Sequence, residues 1–214
     1  MPTAGAEPQS DETSTVRALR LDSWASLQVS GADAESFLQG QLSADLRRLA
    51  PEQPAWASYN SPKGRMLAVM QMHRSEQAIE LWMPDTLVDT VARRLRMFVL
   101  RSKVLIEPSA HRSADLTATT RDRLALIQAG VPVVYPETQD RWVAQMANLD
   151  LIGGISFDKG CYTGQEIVAR LHYLGNLKKR MFLLRGTGAA PEPGMGIREV
   201  NGDAQSVGEA GLER

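Results

Sequence analysis

The chain has 214 residues, a formal net charge of −1 and a hydrophobic fraction of 43%. This composition is that of a globular protein with a sizeable core, so a disordered chain is excluded, and the near-zero charge gives no sign of a nucleic-acid-binding protein. A single cysteine excludes an internal disulfide, and no apolar run approaches the ~20 residues that span a bilayer, so we expect a cytoplasmic protein without membrane contact.

The first half of the chain alternates strand and helix patterns. Residues 1–15 are small and polar and lack the basic-then-apolar order of a signal peptide, so we predict a disordered tail. Alternation after Trp24, with Leu27 and Val29 apolar, predicts a first strand. Further strands are predicted at Ala55–Asn60, Met66–His73, Ala78–Met83 and Val104–Ile106. The order of elements indicates an α+β protein with a mainly antiparallel sheet.

Two helices are predicted among these strands. The first covers Asp33–Leu42, with Phe37 and Leu38 facing the core. The second begins at Pro84, where a missing amide costs nothing, and runs to about Leu100. One side of the second helix should carry Leu87, Val91, Leu95 and Phe98.

The second half of the chain has weaker patterns. We predict a short helix at Arg121–Gln128, a Pro-rich segment at Val131–Pro136 and a strand at Met181–Leu184. Asn201-Gly202 is a two-residue hairpin signal. The flanking strands would be Ile197–Val200 and Gln205–Val207.

The only cysteine lies just before a predicted helix. Thr163 and Glu166 have the spacing of a capping box, and an apolar face follows that ends near Gly175. The positive end of this helix and the nearby Lys159 ammonium both favour the thiolate form of Cys161. The alternative is that Cys161 is a small buried hydrophobic residue without chemistry.

The segment around Cys161 resembles the diagnostic motif of the YgfZ-type folate-binding proteins, relatives of the glycine-cleavage T protein. The motif residues are Lys159, Gly160, Cys161, Tyr162, Thr163, Gly164, Gln165, Glu166 and, further on, Arg170. Other blocks with the same resemblance are Gly31–Ala34, Phe37–Gln41, Ser61–Arg65, Ser102–Val104 and Gly153–Phe157. Within the motif, Cys161 and Lys159 would be the functional pair.

The resemblance implies an architecture. Residues 16–183 would form a T-protein-like α+β domain, shortened near residues 108–120. Residues 184–214 would begin a C-terminal β-barrel that the resemblance extends past Arg214.

The resemblance also implies a function. It implies an accessory protein that binds tetrahydrofolate or a derivative and supports the assembly or repair of iron–sulfur proteins and tRNA modification. Partners would be iron–sulfur proteins or tRNA-modifying enzymes, and no established reaction is implied. One alternative is a tetrahydrofolate-dependent aminomethyltransferase, but Leu67 and Ala68 stand where its acidic pair is expected. The other is a structural remnant without activity.

Four residues are candidates for binding the folate. Trp24 offers an indole face on which a pterin can stack, and the resemblance makes it a binding residue. Without the resemblance, an ordinary core tryptophan is the favoured interpretation. Lys63 and Arg65 flank a tight glycine turn and could hold the anionic glutamate tail, or could simply be a solvated hairpin tip. Asn60, at the end of the preceding strand, completes the set.

Other polar clusters are expected to be ordinary surface. The basic runs around Arg93–Lys103 and Lys178–Arg180 are typical of solvated faces, so direct nucleic-acid binding is not expected. The three histidines have no metal-ligand spacing with Cys161 or with each other, so we expect no metal site.

Overall fold

The computed structural model describes residues 24–51, 53–112, 125–184, 192–198 and 206–209. The strands in these ranges are β1 (Trp24–Ser30), β2 (Ala55–Asn60), β3 (Met66–Arg74), β4 (Ala78–Pro84), β5 (Leu105–Arg112), β6 (Gly196–Arg198) and β7 (Ser206–Glu209). The α-helices are α1 (Ala34–Gln39), α2 (Asp85–Arg96) and α3 (Gln165–Tyr173), and residues 125–128 are also helical. Short 3₁₀ helices lie at Leu46–Arg48, Pro136–Thr138 and Ala144–Ala147.

A five-stranded sheet organises the described residues. Its order is β2-β3-β4-β1-β5, and every neighbouring pair is antiparallel. Strands β6 and β7 form a separate antiparallel pair. The predicted α+β class with an antiparallel sheet is therefore confirmed, whereas the start of a β-barrel stays a prediction.

The two faces of the five-stranded sheet differ in chemistry. Pairing register places Leu27 beside Leu81 and Leu81 beside Met72, and all three are fully buried. Helix α2 packs against β1 and β5, and its apolar residues join the same core. The opposite face is polar and aromatic. One row of paired residues across β2, β3, β4 and β1 contains Trp56, Gln71, Trp82 and Ser26.

Most predicted elements of the first half are confirmed. Strands β1 to β4 lie where the alternation places them, and Phe37 and Leu38 are buried although α1 ends at Gln39. Strand β5 runs on to Arg112, well beyond the predicted Ile106.

Helix α2 begins as predicted but is shorter than expected. Pro84 is its N-cap, and the backbone turns tightly after Arg96, where the Phe98 amide donates to the Leu95 carbonyl. The prediction that Phe98 shares the buried side of this helix is wrong, because the helix has ended and the side chain is 46% exposed.

The chain after α3, the helix that follows Cys161, differs from its predicted structure. Residues Met181–Leu184 form no strand, and Phe182 is 79% exposed. The prediction is wrong because this apolar run pairs with no described strand. Strands β6 and β7 do pair as the hairpin signal requires, but Asn201-Gly202 lies outside the described residues. The predicted tail at 1–15 and the start of the helix at Arg121 also lie outside them.

The second half of the chain packs on the β2–β3 end of the sheet. The Met66 amide donates to the Trp142 carbonyl, and the Asp140 amide donates to the Met66 carbonyl. Ser43, which pairs with β2, donates its hydroxyl to the Gly154 carbonyl. These hydrogen bonds hold the segment before α3 near the turn between β2 and β3. In the ranges described, no helix has both the length and the apolar character needed to cross a membrane.

Candidate functional site

The motif helix begins one residue later than the sequence pattern predicts. Gly164 is its N-cap with a left-handed φ of 80°, and no side chain caps the helix. The predicted capping box of Thr163 and Glu166 is therefore wrong, because a start at Gln165 puts Ile167 at the position where Glu166 was expected. Glu166 instead pairs with Arg170 at 2.8 Å on the exposed side of the helix.

Hydrogen bonds of the Gln165 side chain and of the Thr163 amide, rather than a capping box, fix the motif loop at residues 159–164. The Gln165 side-chain carbonyl accepts from the Tyr162 amide at 3.3 Å, and its NH₂ group donates to the Lys159 carbonyl at 3.5 Å. The Thr163 amide donates to the Gly40 carbonyl at 3.3 Å. The loop is thus fixed both to its own helix and to the end of α1.

Lys159 points into the protein. Its Nζ donates to the Leu42 and Ala44 carbonyl oxygens, each at 2.7 Å, and lies 5.1 Å from the centre of the Tyr162 ring. Burial lowers the pKa of this amine from 10.5 to about 8. The lysine that was predicted to favour a thiolate is therefore also a clamp between the motif and the segment after α1.

Cys161 differs from Lys159 in its exposure. Its side chain is exposed, whereas the neighbouring Tyr162 is buried. Burial raises the pKa of the Tyr162 hydroxyl to about 12, and its oxygen has no hydrogen-bond partner among the described residues. The prediction of a buried Cys161 is wrong, because the residue is exposed, whereas a reactive thiol at this position stays a prediction.

The Lys63-Gly64-Arg65 turn packs directly against the motif. A Cβ on Gly164 would overlap the Ser61 carbonyl oxygen and lie 2.8 Å from the Gly64 Cα. A Cβ on Gly64, whose φ is 70°, would lie 2.7 Å from the Ile167 Cβ. Two glycines therefore bring together two sequence blocks that are far apart in the chain.

Asn60 is a buried amide without a partner. Its side chain lies at the end of β2, just before that turn, and the residue is 1% exposed. Neither the side-chain oxygen nor the nitrogen has a hydrogen-bond partner in the described parts of the chain. A buried amide normally finds partners, so this group needs an explanation.

Trp24 lies near the other end of β2. Its ring meets Trp56 edge to face, with the ring centroids 6.2 Å apart, and both side chains are half-buried. Trp56 precedes Asn60 by four residues, which is roughly 13 Å along an extended strand. Trp24 and Asn60 therefore lie near opposite ends of β2 rather than in a single cluster.

The polar and aromatic sheet face contains residues that the sequence interpretation missed. Trp56 lies against Trp24, and Trp82 donates its indole N–H to Glu80 at 3.0 Å. Ser26 and Ser58 are fully buried on this face, and their hydroxyl oxygens have no partner within the described ranges. The available signal was the alternation of β2 and β4, which puts both tryptophans opposite the apolar face.

Lys63 and Arg65 line a cleft of about 530 Å³ beside α3. Ile167, Arg170 and Leu171 form its α3 wall. The structure thus brings the cationic turn together with part of the predicted motif, whereas Trp24 does not line this cleft. Among the described residues, no three His, Cys, Asp or Glu side chains gather as a metal site.

No protein-family profile matches the chain. Among solved structures there is a likeness to the glycine cleavage system aminomethyltransferase T from Bartonella henselae, with 16% sequence identity and a TM-score of 0.38. The match covers 40% of this chain and 24% of that one, so this chain spans about a quarter of that protein's length. A match of this size and score assigns neither the fold nor the function of the chain.

Proposed function

We propose that this protein binds a reduced folate, tetrahydrofolate or a derivative, and serves as an accessory protein for iron–sulfur proteins, including those that modify tRNA. The observation that carries the folate proposal is the order of three features along β2. Tryptophans meet near its start, the unpartnered Asn60 amide is at its end, and two cations follow in the turn.

A folate has the same order of chemical groups. Its flat pterin can stack on the Trp24–Trp56 pair, and its glutamate carboxylates can meet Lys63 and Arg65. Its central polar groups can bond the Asn60 amide once the side chains that cover this buried residue move aside. The resemblance of the Cys161 motif to folate-binding proteins supports the same ligand. Burying a polar ligand group against Asn60 would satisfy an amide that otherwise lies unpaired.

Cys161 is proposed as the functional thiol of the accessory role. Its side chain is exposed while Lys159 and Thr163 anchor the loop on either side. Such a thiol, as its thiolate, can attack a disulfide of a partner protein and release one of the partner's sulfurs as a thiolate, or it can replace a thiolate ligand of a cluster precursor that the partner presents. The turn that carries Lys63 and Arg65 touches the same helix start, which would couple folate binding to the position of the thiol.

The aminomethyltransferase alternative has less support. Leu67 and Ala68, at the positions where its acidic pair is expected, are both buried alkyl side chains. Neither can take a proton from a folate amine.

We expect tetrahydrofolate to quench the tryptophan fluorescence of the full chain and Trp24→Ala to weaken its binding about fivefold. Loss of one aromatic contact costs on the order of 1 kcal/mol beyond the buried area. The measurement is a fluorescence titration under anaerobic conditions. Phe98→Ala, which removes an exposed aromatic ring outside the site, is the control. Equal affinities for the wild type and Trp24→Ala would argue against stacking on this pair.

We expect Cys161→Ser to change stability little and function strongly. An exposed side chain loses little packing, so the melting temperature should shift by a few degrees at most, equivalent to roughly 1 kcal/mol or less. The same variant should fail to complement a strain lacking the protein, scored by the activity of its iron–sulfur tRNA-modifying enzymes.

Val168→Ala is the control for that experiment. Val168 is fully buried in α3, so this variant should lose stability and complement only in step with the amount of folded protein. Normal complementation by a stable Cys161→Ser protein would refute the thiol role and leave folate binding untouched.

A further inference from the structure

The turn between α2 and β5 exposes apolar side chains among cations. Residues 90–106 include five cationic residues and no carboxylate. The exposed cations are Arg93, Arg96, Arg101 and Lys103. The exposed apolar residues are Met97, Phe98, Leu100 and Leu105, and Leu100 is 86% exposed. These eight residues form what we call the α2–β5 surface. A group of exposed apolar side chains of this kind is typical of an interaction site.

Both ends of this turn are fixed to the rest of the fold. The Arg96 guanidinium donates two hydrogen bonds to the Ile106 carbonyl, at 2.6 and 3.1 Å. At the other end, the Lys103 amide donates to an Asp33 carboxylate oxygen at 2.7 Å, and the Asp33 amide donates to the Lys103 carbonyl at 3.3 Å. The exposed side chains are therefore held in place before a partner arrives, which reduces the conformational entropy that binding costs.

The charges of the α2–β5 surface select an anionic partner. Within the described ranges, none of its four cations forms an ion pair. The carboxylates that border the surface are Asp33, Asp89 and Glu107. Two copies of this surface would bring like charges together, so contact between two copies is disfavoured. The partner that fits offers apolar side chains surrounded by carboxylates.

Helix α1 connects this surface to the loop that carries Cys161. Asp33, which bonds Lys103, is the N-cap of α1. Gly40 is its C-cap and accepts a hydrogen bond from the Thr163 amide at 3.3 Å. The two caps lie ~10 Å apart, since a helix rises about 1.5 Å per residue.

This arrangement favours a protein partner over a lipid surface. A protein interface of standard size covers ~800 Å² on each partner, which is enough to reach both the α2–β5 surface and the exposed thiol of Cys161. A protein can also present a sulfur to that thiol, whereas a lipid surface presents none.

We propose that the α2–β5 surface docks an acidic and apolar face of the protein whose sulfur reacts with Cys161, an inference that rests on the accessory role proposed above. Phe98 and Leu100 enter an apolar depression of the partner, and Arg101 and Lys103 meet carboxylates at its rim. In the docked complex the Cys161 thiolate attacks a partner disulfide. A disulfide between Cys161 and the partner forms, and the partner's other sulfur leaves as a thiolate. Docking accelerates this step by raising the local concentration of the disulfide.

The test uses a synthetic helical peptide of about 20 residues, which spans ~30 Å. It has leucines along one side, glutamates on both flanks and a terminal cysteine joined to thionitrobenzoate as a mixed disulfide. Attack by Cys161 releases thionitrobenzoate, whose absorbance gives the rate for the full chain. At low salt the rate should be about tenfold higher than with a glutamine version of the same peptide, and the advantage should shrink as salt screens the charges.

Variants of the surface separate docking from chemistry. Leu100→Ser and Arg101→Gln, both at exposed positions, should each slow the reaction with the glutamate peptide about threefold or more and leave the rate with the glutamine peptide unchanged. Leu151→Ser and Lys178→Gln are matched changes at exposed residues elsewhere and should react like the wild type. Cys161→Ser should release no thionitrobenzoate but still bind the glutamate peptide, measured by fluorescence anisotropy.

Each outcome separates the docking inference from the thiol role. Equal rates with the two peptides, or surface variants that react like the wild type, overturn the docking inference and leave the thiol role in place. Binding of the glutamate peptide that is weakened in both surface variants, without release of thionitrobenzoate by the wild type, supports docking and overturns the thiol role. Equal peptide rates together with sedimentation on vesicles of phosphatidylglycerol and phosphatidylcholine, lost in Leu100→Ser and Arg101→Gln, overturn the docking inference in favour of a membrane surface.

Discussion

Replacing Lys159 by methionine is expected to lower the free energy of unfolding by about 2–4 kcal/mol at pH 7. Methionine fills a similar space but leaves the Leu42 and Ala44 carbonyl oxygens without the amine that bonds them. Each buried acceptor that loses its partner costs on the order of 1–3 kcal/mol, and relief of the buried charge offsets part of this. Thermal melting should show a loss of about 10 °C.

The same substitution should also change how stability depends on pH. The pKa of Lys159 is about 8 in the folded protein and 10.5 for an ordinary lysine, so the unfolded chain binds more protons between these values. The free energy of unfolding therefore rises with pH in that window. The raised pKa of Tyr162, from 10.0 to about 12, acts in the opposite direction above pH 10.

The useful range is thus pH 8 to 10. Across it, the free energy of unfolding of the wild type should rise by roughly 2 kcal/mol relative to that of Lys159→Met. Urea unfolding at several pH values measures this gap. Lys178→Met, at an exposed lysine, should track the wild type throughout. A gap that stays constant with pH would show that the Lys159 amine is not held in the buried environment described.

Gly164→Ala should be among the most damaging single substitutions in the chain. The residue has a left-handed φ, and an added Cβ would meet the Ser61 carbonyl and the Gly64 backbone, neither of which can rotate away. We expect a loss of about 3 kcal/mol or more in unfolding free energy, together with weaker folate binding, because the cationic turn must move away from α3.

Gly153→Ala separates the two causes of that loss. Gly153 has a similar φ of 75°, but no atom lies within 4 Å of an added Cβ. Its alanine variant should lose only about 1–2 kcal/mol, the cost of the left-handed conformation itself. If the two variants lost the same stability in chemical denaturation, the close contact between turn and motif would not be part of the fold.

The sheet could be predicted because its signal is local. Alternation in β1 to β4 reports directly which side chains face the core, and Pro84 marks the start of α2. The end of α2 could not be read in the same way, since Phe98 continues the helical spacing although the backbone has already turned. The apolar residues at 181–184 predict a strand by composition, but a strand also needs a pairing edge that composition does not supply.

The arrangement of the candidate site residues could not be predicted from the sequence. Recognising the motif around Cys161 required only its sequence, whereas the inward direction of Lys159 depends on carbonyls contributed by the segment after α1. The helix start moved by one residue because Gly164 adopts a left-handed φ to fit against Gly64, a contact between distant parts of the chain. The sequence predicts Trp56 only as a strand residue, and its ring contact with Trp24 is visible only in the structure.

The most direct measurement of the central claim is calorimetry of the full chain with tetrahydrofolate, for the wild type and for Asn60→Leu. The wild type should give saturable heat at up to millimolar folate. Asn60→Leu should bind at least fivefold more weakly while gaining stability, by about 1 kcal/mol, because it removes a buried amide that has no partner among the described residues. Gln53→Leu, a polar-to-apolar change at an exposed residue, should bind like the wild type. No heat with the wild type at millimolar folate, or unchanged binding by Asn60→Leu, would contradict the proposed folate site.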